Sequence, residues 1–209
     1  MNFQLFNTLA AYGDQIPFNI NIDPDEVMYK LREFNNDWTQ YNPRKLPNNR
    51  HGLSITNLDG KLGPGPDLDS LLQYNRENNT RIRETDFTVP TPVYDIFAEI
   101  FEPLKQWLVR CHVLQLRAGG YFPRHIDNYG ANINSFRLIL PLENCNPMDG
   151  YFLIEDKILY WKYGVLYFMN TCKQHVVFNA TNMHMTFVVL NVLLTEECIE
   201  YLLTPKNMV

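Results

Sequence analysis

The sequence predicts a mainly β protein, a double-sheet β jelly roll with helices laid against one sheet. Three observations carry that expectation. From Cys111 onward, apolar runs of about 4–8 residues alternate with turn signals, the pattern of a sandwich or small barrel. Before Cys111 the periodicity is helical, and helices followed by a run of strands fit helices packed on one face of a double sheet. Aromatic residues make up 13% of the 209 residues, a share that suits strands and lined pockets better than a helical bundle.

The elements follow in order. Asp23-Pro24-Asp25-Glu26 opens a helix over 24–34, with an Asp cap, proline at the first helical position and acids in the first turn. Val27, Leu31 and Phe34 then recur at helical spacing. The stretch 52–58 alternates Leu53 and Ile55 with Ser54 and Thr56 and predicts a strand. The run 60–66 (GKLGPGP) is turn-rich, and the chain from there to Glu84 is expected to be loop, with a short helix near 70–74. Ile96, Ile100, Leu104 and Leu108 form an apolar stripe that predicts a helix over 92–109, kinked or broken at Pro103. Strands are then expected near 113–116, 136–140, 151–154, 158–161, 165–169, 175–178 and 183–193. A chain of this length is read as one domain over 1–209. Residues 1–110 form a helical and loop part, 111–195 the jelly-roll core and 196–209 a C-terminal tail.

Composition excludes several function classes. The 18 basic and 23 acidic residues leave a net charge of −5, so a broad electropositive face for nucleic acid is not expected. Arg81 and Arg83 sit beside Glu84 and Asp86 and read as a solvated loop. The longest apolar run, near 187–194, is broken by Asn191 and falls far short of the ~20 residues a membrane span needs. The first 15 residues carry neither a basic segment nor a long apolar one. Cys111, Cys145, Cys172 and Cys198 form no C-x-x-C pair, so reduced thiols in a cytoplasmic protein are expected rather than structural zinc.

The chemistry concentrates in Arg117-Ala-Gly-Gly-Tyr-Phe-Pro-Arg-His125-Ile126-Asp127. On an extended strand, residues two apart point to the same side, so His125 and Asp127 can present an imidazole and a carboxylate to one point. His175 opens a later strand. Two histidines and one carboxylate on one face of a metal leave the opposite face open, the ligand set of non-haem Fe(II) oxygenases. Arg124 falls on the other side of that strand, at the rim. Tyr121, Asn128 and Tyr129 flank the H-x-D at a possible substrate entrance. Asn170 and Asn179 read as turn residues. His51 and His112 have no partner at ligand spacing and read as structural.

Four blocks now stand in order: Val113 through Asp127, then Phe136-Arg137-Leu-Ile-Leu-Pro-Leu, then Gly164-Val-Leu-Tyr-Phe-Met-Asn170, then His175-Val-Val-Phe-Asn179. Together, over about 111–193, they resemble the aspartyl/asparaginyl β-hydroxylase-like branch of the Fe(II)- and 2-oxoglutarate-dependent oxygenases. The resemblance implies a double-stranded β-helix and a metal site of His125, Asp127 and His175. It also implies Fe(II), 2-oxoglutarate and O₂, and hydroxylation of a C–H bond with release of succinate and CO₂. The expected substrate is an amino acid, free or within a peptide.

Two departures from the pattern matter. Where the family places an arginine for the far carboxylate of 2-oxoglutarate, this chain has His184 at or next to the position. Ile139 stands where relatives often have histidine. Arg137 is kept between apolar neighbours, Phe136 and Leu138, and is expected to bind the far carboxylate with help from His184 and the Thr186 hydroxyl. Leu116, Leu140 and Phe187 are expected to keep water from the site. The alternatives are a non-catalytic jelly-roll binding module and a cupin-type zinc or manganese protein.

Overall fold

The computed structural model describes residues 3–43, 49–127 and 134–209. Near the N-terminus are α1 (Phe3–Ala10), β1 (Gln15–Asn21) and α2 (Pro24–Leu31). The start of α2 forms as predicted. The Asp23 carboxylate accepts from the backbone N–H groups of Asp25 and Glu26, and Pro24 occupies the first turn. Next come β2 (Thr39–Gln40), β3 (Arg50–Ser54), β4 (Thr56–Asn57), α3 (Leu71–Asn78) and β5 (Val89–Pro90).

The helix expected over 92–109 is shorter and less regular than its periodicity implies. Two 3₁₀ stretches, Pro92–Phe97 and Glu102–Trp107, flank a single α-helical turn, α4 (Ala98–Phe101). Pro92 and Pro103 cannot donate backbone hydrogen bonds, and proline stands near the start of each 3₁₀ stretch. Leu108, the last residue of the apolar stripe, instead opens β6 (Leu108–Leu116) and pairs with Val192.

The remaining strands are β7 (Tyr121–His125), β8 (Ser135–Glu143), β9 (Gly150–Ile154), β10 (Lys157–Ile158), β11 (Val165–Met169), β12 (His175–Asn179) and β13 (Met185–Leu193). The stretch expected as a tail contains α5 (Glu196–Leu202), whose N-terminus is capped by Thr195 accepting from Cys198 N–H. The helix expected near 70–74 is α3, about one turn longer.

The larger sheet has seven antiparallel strands in the order β1-β11-β8-β13-β6-β3-β2, and the smaller has four in the order β10-β9-β12-β7. The N-terminal part therefore supplies three strands to the larger sheet: β3 overlaps the strand expected over 52–58, whereas β1 and β2 lie where no strand was expected. Pro17 in β1 and the shortness of β2 hide these strands in the sequence; both lie at sheet edges, where proline and short strands are tolerated.

Strand alternation gives the larger sheet two different faces. Val113, Leu138, Leu140, Val188, Leu190 and Val192 pack against the helices, including Leu31, Phe97, Phe101 and Leu104. Leu114, Leu116, Ile139, Phe187 and Val189 face Phe152, Ile154 and Val177 of the smaller sheet. All four cysteines are free thiols, and burial pushes those of Cys111, Cys145 and Cys198 up to about 12. Among the described residues, no helix is long and apolar enough to cross a membrane.

Candidate metal centre and its cleft

The turn after β6 carries the chain from the larger sheet to the smaller one. Gly119 sits there at φ +69°, and a Cβ on Gly120 would stand 2.7 Å from the Asn49 carbonyl, so both positions favour glycine. The chain then enters β7, which ends at His125. Antiparallel pairing of β7 with β12 sets His125 directly opposite His175. Residues far apart in sequence thus become cross-strand neighbours, with ring centroids 4.2 Å apart. Asp127 follows the strand, and its backbone N–H donates to the Thr171 carbonyl at 3.0 Å, tying it to the turn before β12.

The ligand atoms of His125, Asp127 and His175 all lie within 4.8 Å of one another. His125 Nε2 is 3.6 Å and His175 Nε2 is 3.9 Å from the Asp127 carboxylate. Each Nδ1 faces the carbonyl two residues back, Pro123 O at 2.6 Å and Lys173 O at 3.0 Å. A proton on Nδ1 satisfies that carbonyl and leaves the Nε2 lone pair free to bind a metal. Burial lowers the His175 pKa, against the opposing pull of Asp127, so its ring is neutral at pH 7. Asp127 Oδ2 has no hydrogen-bond partner although the side chain is only 12% exposed. Two imidazole nitrogens and one carboxylate, converging from β12 and the end of β7, fit a divalent first-row metal with open positions.

Arg137 stands beside this group. Its Nη1 lies 2.6 Å from Asp127 Oδ2, off the line of a hydrogen bond, and its Nε donates to Asn191 Oδ1 at 3.3 Å. The triad opens on a cleft of about 550 Å³ whose walls include Tyr41, Arg50, Arg83, Arg110 and Phe122. Arg110 holds one wall in place. It donates to the carbonyls of Asp67 and Asp69, both at 2.7 Å, and pairs with Glu84 at 2.8 Å. Behind the triad a narrower cavity of about 40 Å³ runs between the sheets, lined by His112, Leu114, Ile139, Phe152, Phe187 and Val189 among others. Tyr41, Phe122, His125 and Arg137 line both spaces and mark where they join.

The other residues singled out by sequence fall elsewhere. His184 is exposed, just before β13, with its carbonyl accepting from Asn144. Thr186 is buried but pairs with Gln115, and alternation turns both toward the helix side of the sheet, away from the triad. The structure therefore does not bring His184 or Thr186 to Arg137. Leu140 also belongs to the helix side, whereas Leu116 and Phe187 face the smaller sheet. Ile139 lines the inner cavity. Arg124 is exposed and lines neither cavity, with Asp156 at 3.4 Å and Gln174 at 3.5 Å. Asn179 donates to the Leu116 and Met183 carbonyls, and Asn170 donates to Asp14, so both serve turns. Tyr121 is half exposed, and His51 sits on β3. Asn128 and Tyr129 lie outside the described residues. Sequence reasoning missed Tyr41, Phe122 and Arg110, which no short motif marks; the high aromatic content was the available signal.

No protein-family model matches the sequence, and no curated protein matches it. Solved structures do resemble it. HygX from Streptomyces hygroscopicus, solved with nickel, 2-oxoglutarate and hygromycin B bound, has a TM-score of 0.53 at 9% identity, over 92% of this chain and 87% of that one. The non-haem α-ketoglutarate-dependent epimerase SnoN from nogalamycin biosynthesis has a TM-score of 0.51 at 8% identity, over 91% and 80%. A prolyl hydroxylase from Trichoplax adhaerens, in complex with a hypoxia-inducible-factor peptide fragment, has a TM-score of 0.50 at 14% identity, over 96% and 92%. The fold is thus a double-stranded β-helix, a jelly roll like those of these three structures.

Proposed function

We propose that this chain is an Fe(II)- and 2-oxoglutarate-dependent dioxygenase that hydroxylates a C–H bond of an amino acid, free or in a peptide, with release of succinate and CO₂. The grouping of His125, Asp127 and His175 at the inner end of a wide cleft, in this fold, is the observation that carries the proposal. His125 Nε2, His175 Nε2 and the Asp127 carboxylate would hold the metal. Iron with 2-oxoglutarate and O₂ supplies the oxidising power that breaks an unactivated C–H bond.

The chain's own residues position and exclude. The Pro123 and Lys173 carbonyls fix the tautomers of the two imidazoles, and the Thr171 carbonyl fixes the backbone at Asp127. Arg137 offers a fixed charge and a two-pronged grip for a co-substrate carboxylate. His184 and Thr186 stand apart from it, so in this proposal the charged grip belongs to Arg137 alone. Leu114, Phe152 and Phe187 exclude water behind the metal. The cleft, about 550 Å³, has room for an amino acid or a few residues of a peptide. The four sequence blocks favour the aspartyl/asparaginyl β-hydroxylase-like branch within the superfamily.

The test is a succinate-release screen with Fe(II) and 2-oxoglutarate across free amino acids and short peptides. Succinate stimulated by one substrate class, with a matching gain of one oxygen in that substrate, supports the proposal. Absence of 2-oxoglutarate turnover under every mixture favours the non-catalytic binding module.

A further inference from the structure

The larger sheet presents a graded surface to the space between the sheets. At the mouth Arg137 lies opposite Asn191, whose amide donates to the Arg110 carbonyl at 2.6 Å. One pair deeper, Val189 is flanked by Ile139 on one side and His112 on the other. One pair deeper again stand Phe187 and Leu114, with Met185 and Leu116 beyond them. Below the mouth, His112 is the polar side chain that β6, β8 and β13 turn into the inner cavity.

His112 is 2% exposed, and its Nδ1 has no hydrogen-bond partner. The ring lies against Tyr41, centroids 5.4 Å apart, but that contact satisfies neither nitrogen. A buried polar atom without a partner costs about 1–3 kcal/mol, so a retained one calls for an occupant. The cavity it lines, about 40 Å³, takes on the order of two or three waters, or one carboxylate head, but not a whole five-carbon diacid. Beyond His112 the floor is Leu114, Leu116, Phe152 and Phe187, where a carboxylate would find no donor.

We infer that His112 receives the far carboxylate of 2-oxoglutarate, donating a ring N–H to it one step below the mouth of the cavity while Arg137 supplies the charge from the mouth side. The inference rests on the co-substrate reading above. It names a positioning residue in place of His184 and Thr186, which the fold directs elsewhere. His112 does not touch the metal ligands. Its role is to choose a diacid over a monoacid: pyruvate carries the same 2-oxo-acid head but no far carboxylate.

Calorimetric titration of Ni(II)-loaded protein tests this without turnover, with 2-oxoglutarate and pyruvate as separate probes. His112→Phe keeps an aromatic ring against Tyr41 but removes both nitrogens; His112→Gln restores one amide donor. For Phe, the expected result is a loss of 2-oxoglutarate affinity of about tenfold or more, as for a hydrogen bond to a charged group. Gln should recover part of it. Pyruvate and Ni(II) affinities should stay within about twofold of wild type for both variants. Equal weakening of both acids, or unchanged 2-oxoglutarate affinity in His112→Phe, overturns the assignment. Should His112→Phe fail to fold, His112→Gln decides alone, since its affinity ratio for the two acids must still fall. Ni(II) binding without 2-oxoglutarate binding in the wild type would defeat the co-substrate reading itself, and His112 with it.

Discussion

The two faces of the seven-stranded sheet are built from the same strands and do different work. Its helix side is hydrocarbon where Val113, Leu138, Val188, Leu190 and Val192 meet the helices, with the buried polar pair Thr186 and Gln115 toward one end. Its inner side changes character along the strands, from Arg137 at the mouth through His112 to the Leu114–Phe187 floor. A strand alternates sides at every residue, so one nine-residue strand such as β13 contributes to both. Stability and chemistry are thereby separated by a single residue step. Substitutions on the two faces should accordingly separate folding from binding.

The largest effect is expected at the triad. Asp127→Ala removes the anionic ligand, and Fe(II) or Ni(II) affinity by calorimetry should fall by at least about a hundredfold, with little change in melting temperature. A matching loss of thermal stability would blur the two faces. Leu190→Ala makes the opposite test. Leu190 is fully buried on the helix side, and its truncation should cost about 2–5 kcal/mol in denaturant unfolding while metal affinity stays at the wild-type value.

Next in size is Arg137→Gln, which should raise the 2-oxoglutarate concentration needed for half-maximal succinate formation by roughly tenfold or more, as expected when a charge-assisted contact is lost. His184→Ala should leave it unchanged. Equal effects would return His184 to the site.

Acid provides a graded probe. Burial lowers the folded-state pKa values of His112 and His175, with the Arg110 and Arg137 charges adding to the lowering at His112 and Asp127 opposing it at His175. The unfolded chain therefore takes up protons first. Stability from these two sites is present above the unfolded histidine value near ~6.5 and is lost as pH falls below it toward the folded values. Metal affinity should fall over the same range, since a protonated imidazole cannot ligate. Unfolding of the metal-free protein followed from pH 7.5 to 5 checks the sign; stability that rises on acidification contradicts it.

The smallest effect is at Thr186, whose buried hydroxyl has no partner. Thr186→Val should change stability by no more than about 0.5 kcal/mol, or raise it, and leave 2-oxoglutarate affinity alone. A loss of affinity would place this residue on the inner face after all.

How much of this was legible in the sequence follows from the range of the signals. The H-x-D at 125–127 and the strand opened by His175 are local patterns, and cross-strand pairing brings them together. The jelly-roll strands after Cys111 are legible because turns punctuate them. β1 alternates Ile16, Phe18 and Ile20 with Gln15, Pro17, Asn19 and Asn21, but Pro17 cannot donate to a strand ladder and so argues against a strand there, and β2 is too short to show a period. His112 and Thr186 show why the rest was hidden. Whether an isolated polar residue in a strand faces the cavity or the helices depends on the register of β6 against β13, and no single-sequence period fixes that register. His112 therefore reads as structural and Thr186 as a ligand contact, whereas strand pairing turns each to the opposite face.

The central claim is that the triad of His125, Asp127 and His175 supports 2-oxoglutarate-dependent oxygen chemistry. The most direct measurement is mass analysis of succinate formed from 2-oxoglutarate under ¹⁸O₂ by Fe(II)-loaded protein, with His175→Ala alongside. One ¹⁸O in the wild-type succinate and no succinate above background from the variant is the predicted result. Succinate without label, or equal amounts from the two proteins, would contradict it.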